Sequence, residues 1–479
     1  MINKNIFLHA LACPARGWLI AHPPASVHIS PGATVRMEQG RIVGEMARQR
    51  YPSGILVASR HMAEAAEQTA SLMKDETTTT LFEGAFLWGD FAARADLLHR
   101  THDGWILEEV KSSTRVKPEY IADAAYTAMV LQGAGVVVAD ARLSVVDKTY
   151  RKGDGVDTLF VTETVTTAVL ENASHFAEDA PKVSAMVGHA EAPAPTMIYD
   201  CRGCDFFERH CLGRESEQSI FLIPRLGEAK FKALRACDVA EVGNVPADFK
   251  LSKTQRRVVD VLQSQVLWTS DNLSVALEEI EYPAFYLDFE TVSVCLPLFD
   301  DTAPFEQVPT QYSLHIRRVP GEGTTHREFL ATAETDERRI LAERLLDDLE
   351  SVGHIIVYSS FEKSVLNALG QRFPDLKPRT DACLERLFDL EKVIKEHVCH
   401  PAFMGQTSIK KTLPALVPDL NYGDLTINNG DQASAMFYRM AVGEVSGVEA
   451  DRVRQDLLTY CKLDTMAMVR LHDALATLA

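Results

Sequence analysis

The 479-residue sequence lacks any apolar run of about 20 residues, the length that a helix needs to cross a bilayer. Positive charge is also scarce: 49 Lys and Arg against 67 Asp and Glu give a net charge of −18. This balance argues against a protein that holds nucleic acid through a broad basic face. An enzyme that binds metal ions through carboxylates is not excluded, because those carboxylates are themselves negative. No low-complexity tract and no internal repeat is visible, which argues against a repeat architecture.

The N-terminus has no pattern typical of a secretory signal. Its apolar residues form only a short run, which His9 interrupts before Cys13. We therefore expect a cytoplasmic protein without membrane contacts, beginning with its first helix. The nine cysteines, an odd number in a chain without a signal peptide, favour thiols or metal ligands over a disulfide framework.

The length predicts two domains, and the residue pattern is α/β on both sides of a helical stretch. We place the first domain at residues 1–215, a helical connector at 216–280 and the second domain at 281–479. In the first domain the pattern predicts strands at Leu81–Phe86, Phe91–Leu98, Trp105–Lys111, Val136–Ala139 and Arg142–Thr149, and a helix at Glu119–Gln132. In the second it predicts strands at Ala284–Phe289, Gln311–Arg317, Glu328–Leu330 and Ile355–Tyr358, followed by a mainly helical C-terminal part.

Asp96, Glu109 and Lys111 form the first group of candidate catalytic residues. Glu109 and Lys111 are two residues apart on a predicted strand, so they point to the same face. Asp96 ends the preceding strand, and a turn at Asp103-Gly104 brings it beside Glu109. Two adjacent carboxylates suit Mg²⁺ or Mn²⁺, and a lysine beside the metal can stabilise developing phosphate charge. A surface hairpin with an exposed Glu–Lys pair is the alternative, because Glu-x-Lys is a common pattern.

The sequence around this group resembles the RecB-like branch of the PD-(D/E)XK nucleases, specifically the iron–sulfur nucleases associated with CRISPR adaptation. The match consists of Arg94-Ala95-Asp96-Leu97-Leu98, Glu109-Val110-Lys111-Ser112-Ser113 and a helix through Tyr120, Asp123 and Tyr126. The resemblance implies a restriction-endonuclease-like α/β domain in which Asp96 and Glu109 hold the metal and Lys111 is catalytic.

The sequence departs from this family at two places. Asp123 stands near the position where the family's helix usually offers a Gln. Gly44 stands where many members carry a metal-binding His. Glu83, on the strand before Asp96, and Glu45 are the candidates to replace that ligand, and the choice between them stays open.

Cys201, Cys204 and Cys211 form the second group. Three thiols within eleven residues suit either zinc or an iron–sulfur cluster, and the fourth ligand is His210 or the distant Cys13. In the nucleases that the chain resembles, one N-terminal cysteine followed by Pro and three C-terminal cysteines bind a [4Fe–4S] cluster. The resemblance therefore implies a structural [4Fe–4S] cluster on all four cysteines.

The third group lies in the C-terminal half. Asp288 and Glu290 share one face of an otherwise apolar strand, where two acids are costly unless they bind a metal ion or are well hydrogen-bonded. Tyr460 and Asp464, four residues apart, share one face of a late helix. Between these segments Glu362 follows Tyr358-Ser359-Ser360-Phe361 at the start of a helix.

This third group resembles the tyrosine subtype of the DEDD exonucleases, which have an RNase H-like fold. The resemblance implies that Asp288, Glu290 and Asp464 bind two metal ions and that Tyr460 orients the attacking water. Glu362 stands where the family usually has Asp. A degenerate RNase H-like domain that only binds its ligand is the alternative.

Taken together, the resemblances imply a metal-dependent nuclease with two active sites and DNA as the expected substrate. Two-domain proteins of this kind form a bacterial family without a settled role. The alternative is a nucleic-acid-binding scaffold, with one or both sites inactive, that works with a helicase or a defence-system protein. The chain has no Gly-x4-Gly-Lys-(Ser/Thr) phosphate loop, so any unwinding requires a partner.

Overall fold

The structure, a computed structural model, describes residues 1–23, 30–211 and 218–479. Two compact units make up the chain: unit 1 is Met1–Thr196 with Ser293–Glu306, and unit 2 is Met197–Val292 with Gln307–Ala479. Both units are mixed α/β. The division at Thr196 precedes the boundary predicted after residue 215, which lies outside the described residues. The helices of the predicted connector belong to unit 2.

Unit 1 is built on one sheet whose strands are in sequence order. Its helices are α1 (Lys4–Ala12), α2 (Pro14–Ala21), α3 (Pro31–Gln49), α4 (Met62–Lys74), α5 (Pro118–Gly133) and α6 (Thr166–Val187), with a 3₁₀ turn at Val156–Thr158. Its strands are β1 (Ile55–Leu56), β2 (Thr80–Trp88), β3 (Phe91–Thr101), β4 (Gly104–Lys111), β5 (Val138–Val146) and β6 (Phe160–Thr164). The β1–β2 and β4–β5 pairs are parallel and the other pairs are antiparallel.

Helix α5 holds the core of unit 1 against this sheet. Pro118 occupies its first turn, where no intrahelical N–H partner is needed. Residues 124–131 are all buried, and they pack with Phe7 of α1 and with the apolar face of β3 and β4. The parallel β4–β5 pair requires such a crossover, and α5 packs against β2, β3, β4 and β5.

One sequence prediction in unit 1 was wrong. The strands expected at Val136–Ala139 and Arg142–Thr149 are a single strand, β5, which pairs with β4 over most of its length. The polar Asp140 does not break it, because its carboxylate accepts hydrogen bonds from the Arg142 side chain at 2.8 Å and the Ala141 N–H at 3.0 Å.

Unit 2 has a mixed five-stranded sheet flanked by helices. Its helices are α7 (Glu228–Ala236), α8 (Lys253–Ser264), α9 (Leu273–Glu278), α10 (Arg338–Asp348), α11 (Phe361–Arg372), α12 (Lys377–Glu385), α13 (Leu390–His397), α14 (Ile409–Leu416), α15 (Gly430–Ala441) and α16 (Gly447–Leu478). Its strands are β7 (Trp268–Thr269), β8 (Ala284–Val292), β9 (Val308–Arg317), β10 (Thr325–Leu330), β11 (Ile355–Val357), β12 (Leu387–Asp389) and β13 (Val398–Cys399). Short helical turns lie at Tyr199–Gly203, Phe207–Cys211, Ile220–Leu222, Val242–Asn244 and Pro401–Phe403.

The strand order of the larger sheet is β10-β9-β8-β11-β12. The β10–β9 and β9–β8 pairs are antiparallel, whereas β8, β11 and β12 run parallel. Helix α16 packs against β8 and β9 at the centre of this sheet. The central strand β8 and the long C-terminal helix therefore lie side by side.

None of the helices in the described ranges is both long and apolar enough to span a membrane.

Candidate metal-binding sites

The predicted hairpin in unit 1 is present, with Asp96 opposite Glu109. The register pairs Leu97 with Glu108, so the next residues along the two strands face each other. The Asp96 carboxylate accepts a hydrogen bond from the Val110 N–H at 2.8 Å, which fixes it against β4. Glu109 is fully buried. The hairpin thus places two carboxylates side by side on one face of the sheet.

Two lysines and a threonine contact the Glu109 carboxylate. The ammonium groups of Lys111 and Lys4 lie 3.4 and 3.6 Å from its Oε2, and the Thr127 hydroxyl donates to its Oε1 at 3.1 Å. Lys111 also donates to the Asp123 carboxylate at 2.7 Å. Asp123, on α5, therefore holds the lysine in place. No sequence pattern points to Lys4, since its approach depends on how α1 packs on the sheet.

The charges of this group shift the pKa values in opposite directions. Burial and the nearby Glu109 charge raise the pKa of Asp96 to about 7. Burial also disfavours the charged form of Glu109, but Lys4, Lys111 and the Thr127 hydrogen bond outweigh burial, and the pKa of Glu109 is lowered. The pKa of Lys111 is raised by Glu109 and Asp123 despite its burial. Glu109 and Lys111 are therefore charged at neutral pH.

Glu83, rather than Glu45, lies beside this carboxylate pair. Glu83 is on β2 between the pairs Phe82–Leu97 and Gly84–Ala95, opposite Asp96. Its φ of 55° is uncommon for a residue with a side chain. Arg48 donates to its carboxylate at 3.2 Å, and burial raises its pKa. Glu45 lies on α3, where it pairs with Arg41.

The four predicted cluster cysteines are divided between the two units. Cys13 lies between α1 and α2 in unit 1, whereas Cys201, Cys204 and Cys211 lie in or next to short helical turns of unit 2. The Ile198 N–H lies 3.4 Å from the Cys201 sulfur. His210, the alternative zinc ligand, is exposed beside Phe206. The ligand set of this group stays a prediction.

In unit 2, Asp288, Glu290 and Asp464 converge. One carboxylate oxygen from each residue lies within 4.8 Å of the other two, and no other group of three or more His, Cys, Asp or Glu donors in the described ranges is this close. Asp288 and Glu290 are two residues apart on β8, so their side chains point to the same face of the sheet. Helix α16, which packs against β8, supplies Asp464. The packing of α16 on β8 thus brings together acids that are more than 170 residues apart in sequence.

Hydrogen-bond donors surround this acid group. The Tyr422 hydroxyl donates to Asp464 Oδ1 at 2.6 Å, and the Tyr460 hydroxyl also hydrogen-bonds to Asp464. The buried Cys461 thiol donates to Asp288 Oδ2 at 3.4 Å. Tyr422 is absent from the sequence predictions, because it lies in a loop outside any recognised motif.

Glu362 is buried at the start of α11, close enough to interact electrostatically with Asp288, Glu290 and Asp464. It is only 3% exposed, and its Oε2 has no hydrogen-bond partner among the residues that the structure describes. A buried carboxylate oxygen without a partner is costly. Glu362 does not belong to the group of three donors that lie within 4.8 Å of one another.

The four acids repel one another and resist ionisation. Burial and the neighbouring acids raise the pKa of Glu290 to about 8, and they raise the pKa of Asp288 well above its ordinary value. Burial raises the pKa of Glu362 to about 7 and that of Asp464 to about 6. Lys410 is the cation whose charge favours ionised Glu290 and Asp464, although burial lowers its own pKa. A divalent cation would remove the mutual repulsion.

The comparisons with known proteins give no function. A family model described as "Domain of unknown function (DUF2779)" matches residues 285–408. Uncharacterized proteins of Mycoplasma genitalium and Mycoplasma pneumoniae are 24% and 23% identical over 204 and 224 residues, which is 38% and 40% of this chain. One of Ureaplasma parvum is 23% identical over 210 residues, 38% of this chain. The chain spans about a third of the length of these relatives, 30%, 32% and 30% respectively.

Proposed function

We propose that this protein is a metal-dependent nuclease, with DNA as the proposed substrate. The observation that carries the proposal is the convergence of Asp288, Glu290 and Asp464, whose carboxylate oxygens lie within 4.8 Å of one another in unit 2. Asp464 is buried and Asp288 and Glu290 are half-buried, and three acids at this spacing repel one another as ions unless a cation is present. Their oxygen donors suit Mg²⁺ or Mn²⁺.

The residues of unit 2 fit such metal ions. Asp288, Glu290 and Asp464 would hold them, and the unpartnered oxygen of Glu362 supplies a further donor. When bound, divalent ions would polarise the phosphate and lower the pKa of a water molecule. Tyr460, which hydrogen-bonds to Asp464, would orient that water. Lys410 would contribute positive charge toward the phosphate.

The topology of unit 2 supports this assignment. In the order β10-β9-β8-β11-β12, three antiparallel strands are followed by two parallel ones, which is the arrangement expected of the RNase H-like fold. Asp288 and Glu290 lie on its central strand, as the DEDD resemblance implies. The late Tyr460 and Asp464 lie on the helix that covers that strand.

Unit 1 would supply a second cleavage site of the PD-(D/E)XK type. The succession of β2, β3, β4, α5 and β5, with a parallel β4–β5 pair, matches the core expected of that fold. Asp96 and Glu109 would hold a metal ion, with Glu83 beside them, and Lys111 would stabilise the charge that develops on the phosphate. Asp123 positions Lys111 in place of the family's usual Gln.

We also retain the proposal of a structural [4Fe–4S] cluster on Cys13, Cys201, Cys204 and Cys211. Its support is the one-plus-three cysteine layout of the sequence. Zinc held with His210 is the competing assignment.

A cleavage assay on end-labelled single- and double-stranded DNA and RNA tests the proposed function. The protein is incubated with Mg²⁺ or Mn²⁺, and the wild type is compared with variants that inactivate each unit, Lys111→Ala and Asp288→Asn. We expect metal-dependent cleavage that falls in at least one variant. A wild type that binds these substrates but cleaves none of them would instead support the scaffold that serves a helicase or defence-system partner.

A further inference from the structure

Unit 2 contains a groove that neither proposed metal site uses. Three cavities of about 370, 360 and 960 Å³ adjoin one another. The first shares Arg225 and Gly405 with the second, and it shares Ser252 and Arg257 with the third. Because neighbouring cavities have wall residues in common, they lie side by side, and we call the three together the connector groove. Its walls come from the turns at Tyr199–Gly203, Phe207–Cys211 and Ile220–Leu222, from α8 and the segment before it, from α13 and from the loop before α14.

The connector groove is basic, although the chain as a whole has a net charge of −18. Its walls contain Arg202, Arg225, Lys250, Lys253, Arg256, Arg257 and Lys395, against the acids Glu208, Asp260 and Glu396. Arg225, Lys250 and Lys253 are exposed, and no acid in the described ranges lies within 4.0 Å of their charged nitrogens. Unpaired cations along a groove favour a polyanionic ligand.

Flat side chains alternate with these cations. Phe249 and Trp268 line the widest part of the groove, and both are half-buried. The guanidinium of Arg257 lies 4.1 Å from the centre of the Trp268 ring, and it donates to the carbonyls of Lys395 and Glu396 at 3.0 and 2.8 Å. These contacts hold Arg257 flat and rigid. Unpaired bases stack on such aromatic and guanidinium surfaces.

The connector groove ends close to the acid group. Thr407 lines the groove, and Lys410 follows three residues later. Three residues span at most about 11 Å. Lys410 in turn interacts electrostatically with Glu290 and Asp464. Thr407 of the groove wall is therefore close to Lys410, whose charge acts on the acid group.

We propose that the connector groove binds single-stranded nucleic acid and guides it toward the Asp288, Glu290 and Asp464 site. The delivery of the strand to a cleavage site rests on the proposed function, whereas binding of the strand in the groove does not depend on it. Arg225, Lys250 and Lys253 contact phosphates, and Phe249 and Trp268 stack with bases. An acidic protein segment would satisfy the same charges, but it would make no use of the stacking surfaces.

Fluorescence anisotropy in EDTA tests this groove without cleavage. The probe is a fluorescein-labelled oligothymidine of about 20 nucleotides, titrated with the full-length protein between about 0.1 and 1 M salt. The test variant is Lys250→Gln with Lys253→Gln. The control is Lys392→Gln with Arg452→Gln, which removes the same charge from exposed positions of unit 2 outside the groove. A second probe, polyglutamate, reports binding of an acidic protein segment.

Loss of two phosphate contacts is expected to lower the salt slope, −d log K/d log[salt], by about 1.4, since each contact to a single strand contributes about 0.7. At 0.1 M salt this corresponds to an affinity about 25-fold weaker, whereas the control pair binds like the wild type. Equal affinities for test and control variants would overturn the proposal, as would loss of polyglutamate binding alone. Because the titration is made in EDTA, where no cleavage occurs, its result does not depend on the nuclease assignment, and a failure of either one remains distinguishable from a failure of the other.

Discussion

At the residue scale, the carboxylates of the two candidate metal sites differ in the positive charge around them and therefore in their pKa values. Glu109 in unit 1 has Lys4 and Lys111 within 3.6 Å and stays ionised. The acids of unit 2 have the charge of Lys410 together with hydroxyl and thiol donors, and the pKa values of Asp288 and Glu290 are raised. The proposed metal site of unit 2 would therefore depend more strongly on a bound cation than that of unit 1. Neither Lys4 nor Lys410 could be assigned from sequence, since each reaches its site through helix packing.

Lys111→Ala is expected to reduce cleavage by unit 1 about 100- to 1000-fold, because it removes a charge that stabilises the transition state. The measurement is cleavage of end-labelled DNA in an Asp288→Asn background, which silences unit 2. Lys117→Ala is the control, since Lys117 is more exposed and lies beside the same Tyr120 ring. Equal cleavage by both variants would show that the Asp96–Glu109 hairpin is only structural.

Three histidines of unit 2, of which His315 and His472 are buried and His326 is half-buried, predict a loss of stability in acid. Burial lowers the pKa of His315 to about 3 and those of His326 and His472 to about 4. A histidine whose folded pKa is lowered stabilises the protein above its unfolded pKa of about 6.5, and this stability is lost as the pH falls toward 4. For His472, hydrogen-bonded to Tyr286, the loss is about 3 kcal/mol at most.

His472→Gln should therefore make the urea midpoint less dependent on pH between about 6.5 and 4. His102→Gln is the control, because the His102 side chain is 99% exposed. A pH dependence of the midpoint that is the same in both variants and the wild type would show that His472 is not held neutral by burial.

At the element scale, alternation and turn residues were sufficient to predict most strands. The strands expected around Asp96 and Lys111 are β3 and β4, and those expected around Asp288 and Ile355 are β8 and β11. Whether two predicted strands are in fact one was harder to predict. Strand β5 continues through Asp140, because the Asp140 carboxylate accepts hydrogen bonds from neighbouring residues. The insertion of residues 293–306 into unit 1 was not predictable, since Cys295 and Leu296 pack with Val43 and Tyr150 of another segment.

The turn that leads into β11 depends on Gly353. Its φ is +83°, and a Cβ there would lie 2.0 Å from the Pro283 carbonyl oxygen. Gly321 has a φ of +78°, but nothing lies within 4 Å of the point that a Cβ would occupy. Gly321→Ala should cost about 1–2 kcal/mol from backbone strain, and Gly353→Ala roughly 1–3 kcal/mol more from the steric overlap. Both losses are measured as changes in the free energy of unfolding in urea. Equal losses for the two variants would show that the turn at Gly353 shifts to accommodate the added Cβ.

At the scale of the whole molecule, each of the two α/β units carries a cluster of acidic residues, and the three cysteines that are close in sequence belong to the second unit. The pairing of Cys13 with Cys201, Cys204 and Cys211 rests on resemblance, because cysteines so far apart in sequence carry no pattern that links them. The site in unit 2 was more predictable: the acids on β8 and the Tyr-x3-Asp spacing on α16 each point to one face of their element.

Anaerobically purified protein is expected to be brown, with about four iron atoms per chain and broad absorbance near ~400 nm. Cys13→Ala should lose as much iron as Cys204→Ala, because each removes one ligand. Cys237→Ala is the control, since Cys237 is exposed. Stoichiometric zinc without iron would contradict the cluster assignment, and iron retained by Cys13→Ala would point to a different fourth ligand.

The central claim is that Asp288, Glu290 and Asp464 form a metal-dependent cleavage site. The most direct measurement is the rate of nucleotide release from end-labelled single-stranded DNA with Mn²⁺, in a Lys111→Ala background that silences unit 1. Asp288→Asn should reduce this rate by at least about 100-fold, Tyr460→Phe should slow it with little loss of metal, and Asp271→Asn, an exposed control, should leave it unchanged. Equal rates for Asp288→Asn, Tyr460→Phe and the control, on RNA as well as DNA, would contradict the account and leave unit 2 as a binding module.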